Sequence, residues 1–167
     1  PWMNNGIHPD EHFMPESFQA AGYQTAMVGK WHLGHSQETF HPNSRGFDDF
    51  YGHLHTEVGY FPPFANQGGI DFQRNGKTIT DKGYETFLLA AEASRWIENR
   101  DTEKPFFLYM PFIAPHTPLE APEDLLKKYA NLKDLRKPTR SASTDRIRSL
   151  SMTPSARPIY AAVVDAL

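Results

Sequence analysis

The sequence predicts an α/β fold, a sheet of mostly parallel strands flanked by helices. Two short apolar runs, residues 23–28 and 106–110, are too continuous for strands with one wet face. Between them, residues 84–99 repeat Leu89, Ala93, Trp96 and Ile97 at helical spacing, with Glu92, Arg95 and Glu98 turned outward. Buried strands separated by a helix favour a parallel sheet covered on both faces.

The remaining elements follow in order. Pro15 suits the first turn of a short helix over 16–21, ended by Gly22. The strand over 23–28 is closed by Gly29. Residues 45–52 read as a turn capped by Asp48, with Phe47, Phe50 and Tyr51 packed beneath it. Pro105 precedes the second strand, 123–129 form a short helix, and 159–167 open another.

The 167 residues leave room for one domain. Apolar residues make up 39% and aromatic residues 13%, with a net charge of −3, a globular composition. With no cysteine there is neither a disulfide framework nor a thiolate zinc site. No apolar run approaches the ~18 residues that span a bilayer. The mild acidity argues against nucleic-acid binding. The chain opens on Pro1 rather than Met and is read as a piece of something longer. Residues 133–148 reverse the charge, with 6 basic against 2 acidic side chains, and 133–158 read as a mobile loop or insertion.

In open α/β sheets the working groups collect beyond the C-terminal ends of strands. Lys30 and His32 follow the first strand, and His116, framed by Pro115 and Pro118, follows the second. An ammonium at a strand end can hold an oxyanion. If the segment stays extended, Lys30 and His32 project to one side. A stiffly mounted His116 suits proton donation to a leaving group. The pairs His8/His12, His32/His35 and His53/His55 reproduce no zinc pattern, and Asp48-Asp49 favours packing over a cation site, so no metal ligand is assigned.

Residues 22–34, Gly-Tyr-Gln-Thr-Ala-Met-Val-Gly-Lys-Trp-His-Leu-Gly, are followed by Arg-Gly-Phe-Asp at 45–48, Lys-Pro-Phe-Phe-Leu-Tyr at 104–109, Pro-His-Thr-Pro-Leu at 115–119 and Tyr-Ala-Ala-Val-Val at 160–164. Together these resemble the sulfatase family of the alkaline phosphatase superfamily, of the arylsulfatase and N-acetylgalactosamine-4-sulfatase type. The resemblance covers roughly 9–132 and 158–167, an internal stretch of one catalytic domain. It implies a partial alkaline-phosphatase-like sheet, incomplete at both ends. It also implies hydrolysis of a sulfate ester, with a sulfated sugar as the expected substrate.

By that resemblance Lys30 contacts the sulfate, and His32 hydrogen-bonds the catalytic hydrate. His116 contacts sulfate and protonates the departing alcohol. The family's formylglycine nucleophile, made in a Cys/Ser-x-Pro-x-Arg motif, and its Ca²⁺ ligands are expected outside this chain. No such motif occurs here. The resemblance further implies a secreted, periplasmic or lysosomal setting, and a chain that alone is inactive and poorly stable. Two alternatives stand beside it: a phosphatase or phosphonate monoester hydrolase of the same superfamily, and a catalytically dead binder of sulfated glycans.

Overall fold

A computed structural model describes residues 6–55, 58–62, 69–132 and 156–167. The chain divides into two compact units, Pro1–Ile113 and Ala114–Leu167. Most of the loop read over 133–158 lies outside the described residues; its last three positions, 156–158, open a helix.

The first unit is built on a five-stranded sheet. Its strands are β1 (Gln24–Lys30), β2 (Asp49–His53), β3 (Gln73–Arg74), β4 (Lys77–Thr78) and β5 (Phe106–Tyr109), in the order β4-β3-β2-β1-β5. β1 pairs in parallel with β2 and with β5, while β3 and β4 form an antiparallel hairpin against β2. Asn75 and Gly76 turn that hairpin with φ of 48° and 74°, the left-handed pair a tight two-residue turn requires.

Helices cover both faces, as side-chain alternation along β1 dictates. On one face Met27 packs with Trp31, Phe47, Phe50 and Leu54, and with Phe13 at the start of α1 (Met14–Ala20). On the other, Val28 packs with Tyr51, Phe72 and Leu89 of α2 (Glu85–Asn99). The main chain of Phe13 donates to Glu16 Oε2 at 2.8 Å, which satisfies one of the unpaired amides at the α1 start.

Several expectations need correction. β1 runs through Gly29 to Lys30 instead of stopping before it. Gly29 holds φ of +139° because a Cβ there would lie 2.3 Å from the Pro111 carbonyl oxygen; the glycine permits a close approach rather than ending the strand. Residues 49–52, expected within the turn over 45–52, form β2 together with His53. β5 is not buried on both faces: it lies at the sheet edge among the described strands, with Phe106 and Tyr109 exposed. Glu92, expected outward, is buried because Arg74 of β3 reaches it with paired hydrogen bonds of 2.5 and 2.7 Å. In the second unit α3 (Glu123–Tyr129) falls as predicted, and α4 (Ala156–Asp165) begins earlier than expected. Lys128 of α3 donates to Asp165 Oδ2 of α4 at 2.7 Å.

Candidate active site

The site grows from the C-terminal ends of β1 and β2. Their register pairs Val28 with Tyr51, Gly29 with Gly52 and Lys30 with His53. Partners in register project to the same face of a sheet. Lys30 and His53 therefore continue the row begun by Val28 and Tyr51, on the face that α2 covers. Four residues before Leu89 on that helix stands Glu85. The apolar contact of Val28, Tyr51 and Leu89 thus passes, toward the strand ends, into a polar group of Lys30, His53 and Glu85.

Backbone bonds fix these ends. Lys30 N–H donates to Pro111 O at 2.9 Å, Trp31 N–H to His53 O at 2.9 Å, and His32 N–H to Leu54 O at 3.0 Å. Trp31 is buried, and its indole N–H lies 2.7 Å from Phe40 O and 3.1 Å from Gly34 O. Phe13 and Phe47 pack around its ring. Arg45 is buried as well, donating to Pro9 O at 3.0 Å and Glu11 O at 2.5 Å, with its guanidinium 4.3 Å above the Phe13 ring. Trp31 thus anchors the segment that carries Lys30, and Arg45 holds the Phe13 ring that packs against Trp31.

Lys30 is half-buried. Desolvation lowers its ammonium pKa from the ordinary lysine value, and the nearby Glu85 carboxylate opposes that fall. His32 is exposed and adopts φ of 57°. The strand has already ended, so the extended alternation that would aim His32 beside Lys30 does not apply.

His53 and Glu85 are enclosed, at 0% and 1% exposure. His53 Nε2 lies 3.1 Å from Glu85 Oε1, and its Nδ1 donates to His55 O at 2.7 Å. Two of the pairings weighed from sequence change meaning here. His53 turns inward to Glu85, while the rings of His35 and His55 meet edge to face at 5.5 Å.

His116 belongs to the second unit. It is exposed, and its Nδ1 donates to Thr117 O at 2.5 Å. The Ala114–Pro115 and Thr117–Pro118 peptides flanking it are both cis.

The acidic side chains considered as cation ligands are engaged elsewhere. Asp48 Oδ2 accepts Thr25 N–H at 2.9 Å and Asp48 Oδ1 accepts Gln19 at 2.6 Å. Asp49 Oδ2 accepts the Trp96 indole N–H at 2.8 Å, and Asp49 Oδ1 accepts Asn75 at 3.1 Å. Among the described residues no group of three or more His, Cys, Asp or Glu side chains converges as a metal site would.

The sequence profile of the Sulfatase family matches residues 1–156. The chain belongs to the sulfatase family. Arylsulfatase J of Mus musculus is 31% identical over 139 residues, covering 79% of this chain and 23% of its own. The N-acetylglucosamine-6-O-sulfatase of Bacteroides thetaiotaomicron is 38% identical over 109 residues, covering 64% of this chain and 17% of its own. Among solved structures, Ps i-CgsB in complex with k-i-k-neocarrahexaose superposes with a TM-score of 0.74 at 30% identity, over 98% of this chain and 35% of that one. A structure solved with its substrate D-glucosamine-2-N,6-O-disulfate superposes at 0.60 with 32% identity, over 80% of this sulfatase chain and 24% of that one. This sulfatase chain spans about a quarter of the length of the curated relatives it matches, 23% and 26% for two of them. The superpositions bear out the α/β sheet with flanking helices.

Sequence reasoning placed Lys30 and His32 at a strand end, and the structure brings both to the end of β1. It missed Glu85, and it considered His53 only as half of a His53/His55 metal pair, which it set aside. The usable signal was the β1–β2 register, which becomes readable only once residues 49–53 are recognised as a strand.

Proposed function

We propose that the polypeptide bearing this chain is a sulfuric ester hydrolase acting on a sulfated sugar. The observation that carries this is Lys30, a partly desolvated cation fixed at the C-terminal end of β1, within the stretch matched by the sulfatase family. The sugar substrate is supported by relatives named for N-acetylglucosamine-6-O-sulfate and N-acetylgalactosamine-6-sulfate chemistry, and by solved neighbours holding carbohydrate ligands. A secreted, periplasmic or lysosomal setting accompanies the reading.

In this reading Lys30 neutralises a sulfate oxygen, and His32 serves as a hydrogen-bonding group beside the reacting atoms. His116 acts as the general acid. Because His116 Nδ1 keeps its proton on Thr117 O, Nε2 carries a transferable proton only in the imidazolium form, and giving it up leaves the neutral Nδ1–H tautomer. When the ester bond between sulfur and the alcohol oxygen breaks, that oxygen takes the Nε2 proton and leaves as the alcohol.

The residues of this chain do not fit the family's calcium ion or its formylglycine. Cysteine is absent, no Ser-x-Pro-x-Arg motif occurs, and Asp48 and Asp49 are consumed by structural hydrogen bonds. Both groups are assigned to sequence outside this chain.

The test compares aryl sulfate and aryl phosphate turnover in the complete polypeptide, alone and with Lys30→Ala or His116→Ala. The reading expects preference for sulfate. It expects His116→Ala to cost about 10²–10⁴-fold with a poor leaving group, and less with an activated one. Equal loss with both leaving groups, or preference for phosphate, counts against it.

A further inference from the structure

Phe61 and Phe87 are 48% and 51% exposed, yet both are mounted on buried rings. Each packs on Tyr84, at ring separations of 5.4 and 5.2 Å. Tyr84 is buried and stacks at 5.6 Å on Tyr60, which is fully enclosed. Backbone bonds fix the mount. The Tyr60 carbonyl accepts the Glu85 amide at 2.7 Å, and the Tyr84 carbonyl accepts the Phe87 and Leu88 amides at 3.0 and 3.1 Å.

The core does not call for these two rings. Leu89, Ala93 and Trp96 form the buried stripe of α2, and Phe87 stands about 200° round the helix from Leu89, on the solvent side. Phenyl rings carry no polar atom, and leaving them in water is unfavourable. Two of them on one rigid base mark a surface made to be covered.

Their place in the fold identifies the occupant. α2 runs antiparallel to β2. Trp96, late in α2, donates its indole N–H to Asp49 at the start of β2 at 2.8 Å and meets the Phe106 ring at the start of β5 at 5.8 Å. Glu85, the first residue of α2, lies 3.1 Å from His53 at the end of β2. Tyr84 immediately precedes Glu85, so the aromatic group stands at the strand ends where Lys30 pairs in register with His53. Lys30 and His53 project toward the face that α2 covers. The ammonium and the rings therefore share one end and one face of the sheet.

We propose that Phe61 and Phe87 form a stacking platform for a sugar ring of the sulfated substrate, beside the anion site of Lys30. A pyranose carries hydroxyls around its rim and C–H bonds across a face. Those polarised C–H groups suit the electron-rich face of a benzene ring. Phenylalanine has neither donor nor acceptor, so it takes that face and leaves the hydroxyl rim to water. A cation next to an apolar platform matches a ligand that joins an anion to an apolar ring face, as a sulfated oligosaccharide does. The proposal rests on the sulfated-sugar reading above and adds to it two residues that favour longer sugars.

The test uses the complete polypeptide with Phe61→Leu and Phe87→Leu, which keep an apolar side chain and remove the ring. The substrates are hexasaccharides of chondroitin sulfate, heparin and ι-carrageenan, each compared with its own sulfated monosaccharide. For the sugar that is hydrolysed, the ratio of kcat/KM for hexasaccharide to that for monosaccharide is expected to fall about two- to tenfold in each variant, through KM. Phe→Tyr at either position is expected to restore it. An unchanged ratio in folded variants overturns the proposal. If the urea midpoint falls while the ratio stays unchanged, the rings pack against another part of the polypeptide or a protein partner, and the proposal is likewise overturned.

A second measurement needs neither turnover nor a variant. Desulfated forms of the same hexasaccharides are titrated into the unmutated protein, with the ring resonances of Phe61 and Phe87 followed by NMR. Saturable shifts of both rings support the platform, and unmoved resonances overturn it. Absence of sulfate-ester turnover would remove the functional reading, and this titration would still decide the platform.

Discussion

Gly29 and Gly52 lie opposite one another in β1 and β2, with no side chain between the strands just before Lys30 and His53. At Gly52, with φ of +150°, a Cβ would stand 2.0 Å from the Gly29 carbonyl oxygen, a backbone atom that cannot swing aside. Gly52→Ala must therefore spread the strands or twist the peptide. We expect it to cost about 2–4 kcal/mol, read as a lowered urea midpoint with unchanged slope, and to reduce activity beyond what unfolding explains. A midpoint within about 0.5 kcal/mol of the parent would show that the strand ends yield easily. The same geometry explains what was legible at the site. Lys30 and His32 declare themselves because a cation and an imidazole follow an apolar run and a glycine. His53 and Glu85 do not, since each takes its meaning from a partner more than twenty residues away, and a lone glutamate opening a helix looks like ordinary helix chemistry.

At the scale of elements, α2 is tied to β3 through Glu92. Burial alone would raise the Glu92 carboxyl, but hydrogen bonds from Arg74 and Arg95 outweigh it and hold the pKa below the usual glutamate value. A carboxyl whose pKa is depressed by folding stabilises the protein above its unfolded pKa, and that contribution disappears as pH falls through the folded one. Glu92→Gln should accordingly destabilise by about 1–3 kcal/mol at neutral pH, and converge on the parent in acid. Chemical denaturation at pH 7 and at pH 3 measures the difference, and a constant gap would contradict the linkage. Periodicity found α2 because a fifteen-residue helix repeats its pattern four times over. It put Glu92 on the wet side because Arg74, from a two-residue strand, cannot be foreseen at helical spacing. The hairpin itself was readable in Asn75-Gly76 between short polar runs, but strands of two residues carry no alternation to recognise. β2 was obscured by Asp48, Asp49 and Gly52, residues whose usual place is a turn.

At the scale of the molecule the two units differ in how much they bury. The first encloses Met27, Phe50, Tyr60, Phe72 and Leu89 almost completely beneath helices on both faces of a sheet. Among the described residues, the second buries mainly small side chains, Ala121, Ala162, Val163 and Ala166, while Tyr160, Val164 and Leu167 remain about half exposed. At roughly 25 cal/mol per Å² of apolar surface, alanines and one valine contribute far less than five large side chains. Its Lys128–Asp165 ion pair joins two exposed partners, a kind of contact that contributes little in water. Local opening follows the density of buried apolar contacts, so α3 and α4 should open at lower free energy than β1 and β2. In native-state hydrogen exchange of this chain, amides of 123–129 and 156–165 should lose protection before those of 24–30 and 49–53 as denaturant is added. Glu85→Gln should move only the second set. Simultaneous exchange of all four segments would mean that the units unfold as one body, and that contacts outside the alanine-lined core hold α3 and α4 in place.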